Sequence, residues 1–389
     1  MIDNNNISPL LPLLRLGIGH CAETLPGAVD WKALKALAYR QGLSAVIWDG
    51  YKAAMGKQKI LPGSGSEPAA EVADSNAAPS LPPMPAELEK SWEEDVAKNY
   101  EARYADYAKR IGQLAWFYNR HGYKLMIIKG FGLSLNYPNP SHRPCGDIDI
   151  WAFGKHKEAD EALSKEFGIK IDNSHHHHTV FSFMGYMVEN HYDLINVHAH
   201  SSSAAMEKIF KELAEDDSNQ ILIGGEKAYL PSPDMHALFL LRHSMSHFAA
   251  VSMNLRQLLD WAFFAKANSQ EINWNWLQGV LERFHMTDFF TCINYICVHH
   301  LGFAEEIFPP INPNLLSGQD LPQLADRILA DMISPEFSEN EPRGLFPRVF
   351  FKYRRWRANA WKNRLCYKEG LFSSFLVSAW AHLLKPRSI

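Results

Sequence analysis

Leu125-Met126-Ile127-Ile128-Lys129-Gly130-Phe131-Gly132, followed after a loop by Arg143-Pro144-Cys145-Gly146-Asp147-Ile148-Asp149-Ile150, is the stretch around which the chain reads. An apolar run ends in Lys-Gly, a polar loop with three prolines follows, and a second strand-like run carries two aspartates one residue apart. Side chains at i and i+2 of a strand share a face, so Asp147 and Asp149 point one way while Ile148 and Ile150 point into a core. Two carboxylates held that close raise each other's pKa unless a cation sits between them, and hard oxygen donors suit Mg2+ (or Mn2+).

Working outward, Tyr123 to Ile128 reads as a first strand and Asp147 to Phe153 as a second. The charged, Ala-rich run Lys155 to Phe167 reads as a surface helix that crosses back over the sheet. Thr179 to Phe183, a turn at Met184-Gly185, and Tyr186 to His191 have the form of a β-hairpin. Its second strand puts Met187, Glu189 and His191 on one face, which makes Glu189 a third carboxylate beside the first two. Such a trio is what phosphoryl or nucleotidyl transfer with two Mg2+ ions requires. Lys129, with Gly130 and Gly132 at the start of a predicted helix, offers a cation and bare backbone N–H groups to phosphate oxygens.

Residues 7–55 alternate at helical spacing, with Asp30 as an N-cap before Trp31. From Leu61 to Pro85 the composition turns to Pro, Gly, Ser and Ala, as in a flexible linker. Trp92, Val96, Tyr100, Tyr104, Tyr107, Ile111, Leu114 and Tyr118 then recur at steps of three and four, which predicts a core-facing aromatic stripe on a long helix ending at His121-Gly122. Beyond Pro231 the pattern is helical throughout, with Asp234 as a cap.

Ile128-Lys129-Gly130, Tyr137-Pro138, Arg143-Pro144-Cys145-Gly146-Asp147-Ile148-Asp149 and Val188-Glu189-Asn190-His191 resemble the uncharacterised bacterial nucleotidyltransferases of the polymerase-beta superfamily. The resemblance extends to Leu255-Arg256-Gln257-Leu258-Leu259-Asp260 and, more loosely, to the helical N-terminus. It implies that Asp147, Asp149 and Glu189 are catalytic metal ligands, that Lys129 and Gly130 cradle a triphosphate, and that Arg143 is a phosphate contact or loop anchor, with His191 beside the nucleotide. One departure stands out: the wider superfamily has Gly-Ser or Gly-Gly at the cradle, and here Phe131 follows Gly130.

Other signals point elsewhere. His175-His176-His177-His178 reads as a solvated loop before the hairpin, since four consecutive imidazoles cannot face one metal from one strand; the alternative is that one of them, together with His191, touches a nucleotide phosphate or the base. Val197-His198-Ala199-His200 would suit a metal-dependent phosphohydrolase only if strands followed, and the pattern there is helical. His243 and His247 read as packed helix histidines, and Arg256 and Asp260 as an i,i+4 ion pair. Arg348 to Arg364, with Arg354, Arg355 and Arg357 interleaved with aromatics, suits either nucleic acid or a basic face packed on an acidic neighbour.

A formal net charge of -4 and a pI near 6.5 exclude a globally basic nucleic-acid binder. Five scattered cysteines without CxxC suggest reduced thiols and a cytoplasmic location, and the N-terminus lacks a signal-like pattern. The apolar run Leu371 to Leu384 falls short of the ~20 residues needed for a membrane span. The expectation is therefore an α+β protein: an N-terminal helical region (1–60), a linker (61–87), a nucleotidyltransferase core with a small mixed sheet (88–226) and a C-terminal helical domain (227–389). Its expected activity is Mg2+-dependent transfer of a nucleoside monophosphate from an NTP to an acceptor hydroxyl, the acceptor being a small molecule, protein or RNA. A non-catalytic nucleotide- or protein-binding module on the same fold is the alternative.

Overall fold

A six-stranded mixed sheet, in the order β3-β4-β2-β1-β6-β5, carries the two runs quoted above. Its strands are β1 (Met126–Ile127), β2 (Ile148–Trp151), β3 (His178–Phe183), β4 (Tyr186–His191), β5 (Gln220–Ile223) and β6 (Glu226–Tyr229). The computed structural model describes residues 9–22, 24–56, 81–198, 200–310, 320–334, 342 and 344–368. β2 runs antiparallel to β1 and parallel to β4, and β1 runs parallel to β6. The β3–β4 hairpin forms as its pattern predicts, with Met184 and Gly185 at φ 48° and 91° in a two-residue turn.

Both central strands are shorter than their apolar runs suggest. Before β1, the Tyr123 N–H still donates to the Tyr118 carbonyl at 2.8 Å and finishes the preceding helix. After β2, Phe153 and Gly154 at φ 46° and 76° turn the chain out of the sheet. The β5–β6 hairpin, absent from the sequence reading, turns at Gly224-Gly225 (φ 60° and 86°).

Helices cover both faces. They are α1 (Leu10–Gly17), α2 (Trp31–Arg40), α3 (Ser44–Ala54), α4 (Ala86–Val96), α5 (Arg103–Arg120), α6 (Phe131–Ser134), α7 (His156–Phe167) and α8 (Ser203–Leu213). There follow α9 (Pro233–Ala250), α10 (Leu255–Asn268), α11 (Trp274–Arg283), α12 (Thr287–Tyr295), α13 (Leu321–Ile333), α14 (Leu345–Ala358) and α15 (Ala360–Cys366). The aromatic stripe lies on α4 and α5, which a π-helical segment, Ala97–Ala102, joins. Tyr107, Ile111 and Leu114 of α5 and Leu163 of α7 pack on Ile127, Ile148, Ile150 and Val188, the odd-numbered side of β1 and the even-numbered side of β2 and β4. Met126, Ile128, Trp151 and Tyr229 face the other way and share a second core with the N-terminal helices and with α9 to α13. Strand alternation therefore aims Asp149 at this second layer.

Asp30 caps α2 by accepting from the Ala33 N–H at 3.0 Å, as expected. Asp234 does not cap α9; its carboxylate instead accepts from the Asn273 N–H at 2.7 Å, holding α11 to α9. Of the expected linker, 61–80 lies outside the described residues, while Leu81 and Met84 are buried in the core. Leu371 to Leu384 also lies outside them, and among the described residues no helix is long and apolar enough to cross a membrane. All five cysteines are free.

Candidate active site

Parallel pairing of β2 with β4 sets Asp149 directly opposite Glu189 and Trp151 opposite His191. Glu189 and His191 share a face of β4 by the two-residue period, so one carboxylate from β2 and a carboxylate and imidazole from β4 converge. His191 Nε2 lies 3.4 Å from Asp149 Oδ1 and 3.7 Å from Glu189 Oε2. Lys129, just beyond β1, brings its ammonium to 2.6 Å from Asp149 Oδ1. Asp147 precedes β2 and is more exposed; with Lys129, Gly130 and Asp149 it lines one side of an open cavity of about 240 Å³. The other side comes from the helical layer, where His243 and Ser244 of α9 and Arg256 of α10 face it.

Burial works to raise the Asp149 pKa, but the Lys129 ammonium and the His191 ring hold it well below the usual carboxylate range. Asp147 and Glu189 are shifted the other way, first by burial and then by the charge on Asp149. Asp149 is thus the fixed anion of the site, and Glu189 the carboxylate more ready to take a proton.

The connecting loop is anchored from several sides. Gly130 sits at φ 56°, and a Cβ there would collide with the Tyr107 hydroxyl. That hydroxyl donates to the Asp147 carbonyl at 2.8 Å, so one member of the aromatic stripe positions the Asp-x-Asp run. The helix expected after Gly130 is a single turn, α6. Arg143 is 3 % exposed and bidentate to Asp260 of α10, with Nε to Oδ1 at 2.8 Å and Nη2 to Oδ2 at 2.9 Å. Its Nη1 donates to the Pro144 carbonyl at 3.1 Å. This geometry anchors the loop, while Arg143 also lines the cavity. Tyr137 of the Tyr-Pro motif donates its hydroxyl to the same Asp260 carboxylate at 2.7 Å. The i,i+4 pair expected between Arg256 and Asp260 is replaced by this one, and Arg256 is turned to the cavity.

The four-histidine run does not form a solvated loop. His176 and His178 are buried, and His177 is half-buried against them. The His177 ring centroid is 4.3 Å from that of His178, and these two lie 5.6 and 5.2 Å from that of His191. Burial, then the neighbouring imidazoles, push His178 down to about 3. His200 is drawn away from the site and stacks on Tyr367 at 3.7 Å. On α14 and α15, Lys362 is fully buried with its ammonium 2.6 Å from Asp331, whereas Arg354 and Arg357 are exposed.

The donor set fits a divalent ion. The His191 Nδ1 lies 3.2 Å from the Asp193 carbonyl. Its Nε2 faces the Asp149 and Glu189 carboxylates, where a bound cation would offset their charge beside Lys129. One ligand atom from each of Asp149, Glu189 and His191 falls within 4.8 Å of the others.

Side-by-side carboxylates on adjacent parallel strands, a Lys-Gly turn at their edge and a helical layer across the cavity define a nucleotidyltransferase-type fold. The family of uncharacterised nucleotidyltransferases matches residues 27–302, well over half of the chain, and this chain belongs to that family. The family implies an NTP substrate. The chain is also similar to the crystal structure of an antigenic nucleotidyltransferase-like protein from Paracoccidioides brasiliensis, at 15% identity over 41% of this chain and 75% of that one, with a TM-score of 0.31. No curated protein matches it.

Proposed function

We propose that this protein transfers a nucleoside monophosphate from an NTP to an acceptor hydroxyl and releases pyrophosphate, with Mg2+ or Mn2+ held by Asp147, Asp149 and Glu189. The observation that carries this reading is the Asp149–Glu189 register, with an ammonium already drawn to Asp149. When bound, the divalent ion would neutralise triphosphate charge and acidify the acceptor hydroxyl. Lys129 sits where it can turn from Asp149 to a phosphate oxygen, and the bare backbone at Gly130 lets the triphosphate approach closely. Arg256 adds a second cation on the opposite wall. Glu189, which completes the site on β4, would orient the acceptor or take its proton as the acceptor oxygen bonds to the α-phosphorus and the bond to pyrophosphate breaks. Arg143 and Tyr107 act at a distance by holding the loop that carries Asp147.

The test is a transfer assay with each radiolabelled NTP against RNA, protein and small alcohols, beside melting curves with Mg2+ or Mn2+. Metal with an NTP should raise the Tm of the wild type, because a ligand that binds only the folded state stabilises it. Asp149→Asn should abolish both transfer and that rise. A folded wild type that no NTP stabilises in the presence of either metal would overturn the reading.

A further inference from the structure

His177, His178 and His191 form a second donor cluster, of which the transfer chemistry above uses at most His191. One ring nitrogen of each lies within 4.8 Å of the other two. Different supports bring them together. His178 opens β3 and pairs directly with His191 across the β3–β4 ladder. His177 lies in the bend before β3, where strand alternation no longer applies, so two consecutive imidazoles turn to the same place.

That bend is held rigidly. The His177 carbonyl accepts from the Tyr192 and Asp193 N–H groups, each at 3.0 Å, and the Tyr192 hydroxyl donates to the His175 carbonyl at 2.8 Å. Yet the buried Nδ1 atoms of His177 and His178 have no hydrogen-bond partner. Buried polar atoms left unpaired are costly, so a preformed cluster that tolerates two of them is built for something else.

We propose that His177, His178 and His191 bind a divalent transition metal of the Zn2+ class. Three imidazoles are a borderline-soft donor set that favours Zn2+, Co2+ or Ni2+ over Mg2+. Around a tetrahedral ion at ordinary Zn–N lengths the nitrogens stand about 3.4 Å apart, and here they already lie within 4.8 Å of one another. Glu189 lies beside the cluster, its Oε1 3.9 Å from His178 Nε2. This site is nitrogen-rich and adjoins the carboxylate site through His191 and Glu189, and its occupancy does not require the transfer reaction.

The probe is Co2+, titrated into the full-length, chelator-treated protein and followed by its visible d–d absorption. One equivalent should produce a tetrahedral-type band that Zn2+ removes and millimolar Mg2+ leaves in place. His177→Gln, at a half-buried bend position that should still fold, is expected to weaken Co2+ binding beyond the ~10–100-fold that loss of an outer-shell partner costs. His178→Gln, with a melting curve to verify folding, should do the same. Asp147→Asn should leave the band intact even where NTP-dependent stabilisation is lost, which separates this proposal from the one above. A folded wild type that gives no band overturns it, and so does a band that survives His177→Gln but vanishes with Asp147→Asn.

Discussion

Lys129 changes what Asp149 contributes. Read from sequence, three bare carboxylates repel one another, and removing one charge should stabilise the metal-free protein. With an ammonium 2.6 Å away and a depressed pKa, Asp149 is instead a stabilising anion. Its folded pKa lies below its unfolded value, so its contribution is complete above the usual aspartate range and is lost as pH falls through the depressed value. Metal-free Asp149→Asn should therefore melt below wild type at pH 7, and the gap should narrow on acidification toward pH 2. A variant that melts higher at pH 7 would restore the repulsion picture. The Glu-x-His pair beside Asp149 was legible in the sequence because period two fixes which side chains share a strand face, whereas Asp147 lies just before β2, where that alternation does not apply. The role of Arg143 was only half legible, because its partner Asp260 is 117 residues away and no local pattern encodes that distance.

Elements were legible where local chemistry agreed with tertiary demand. Met184-Gly185 between alternating runs announces β3 and β4, and the i,i+3/i+4 stripe announces α4 and α5. The β5–β6 hairpin was not seen although Gly224-Gly225 marks its turn. Its strands are four residues each, and in β5 only Ile223 is buried, so hydrophobic alternation is too weak to signal. The helical wall of the cavity was equally silent, since His243, Ser244 and Arg256 sit on helices whose periodicity speaks only for their buried sides. α8 carries a pH-dependent contact of its own. Glu207 is 4 % exposed and accepts from the Leu194 and Ile195 N–H groups at 2.9 and 3.0 Å, docking α8 on the chain that leaves β4. Burial pushes its pKa up to about 7 from 4.5. Because the folded value is the higher one, this stability is complete below about pH 4.5 and is lost as pH rises through 7. Denaturant titrations should show a fall on the order of 2–3 kcal/mol between pH 4.5 and 8 attributable to this group. Glu207→Gln, which cannot ionise, should remove that slope; an unchanged slope would acquit Glu207.

For the whole molecule, the sheet and the helical layer are joined by two unlike devices. Met126, Ile128 and Trp151 share one apolar cluster with α9 and α10, and Arg143–Asp260 is an ion pair with both side chains under 7 % exposed. Breaking such a pair leaves an uncompensated buried charge, so Asp260→Ala should cost about 3–5 kcal/mol. Arg143→Met with Asp260→Leu should recover much of that loss, while NTP-dependent stabilisation, which requires the loop in place, should recover less. Loss under 1 kcal/mol on Asp260→Ala in denaturant melts would remove the pair from this role. The alternation of β1, β2 and β4 made two layers foreseeable from sequence, but not that the cavity would open between them. The cavity floor is thus a seam closed by oil and by charge at once. A nucleotide bound there, as proposed, would meet a floor already fixed to both layers, with less of its binding energy diverted to drawing them together.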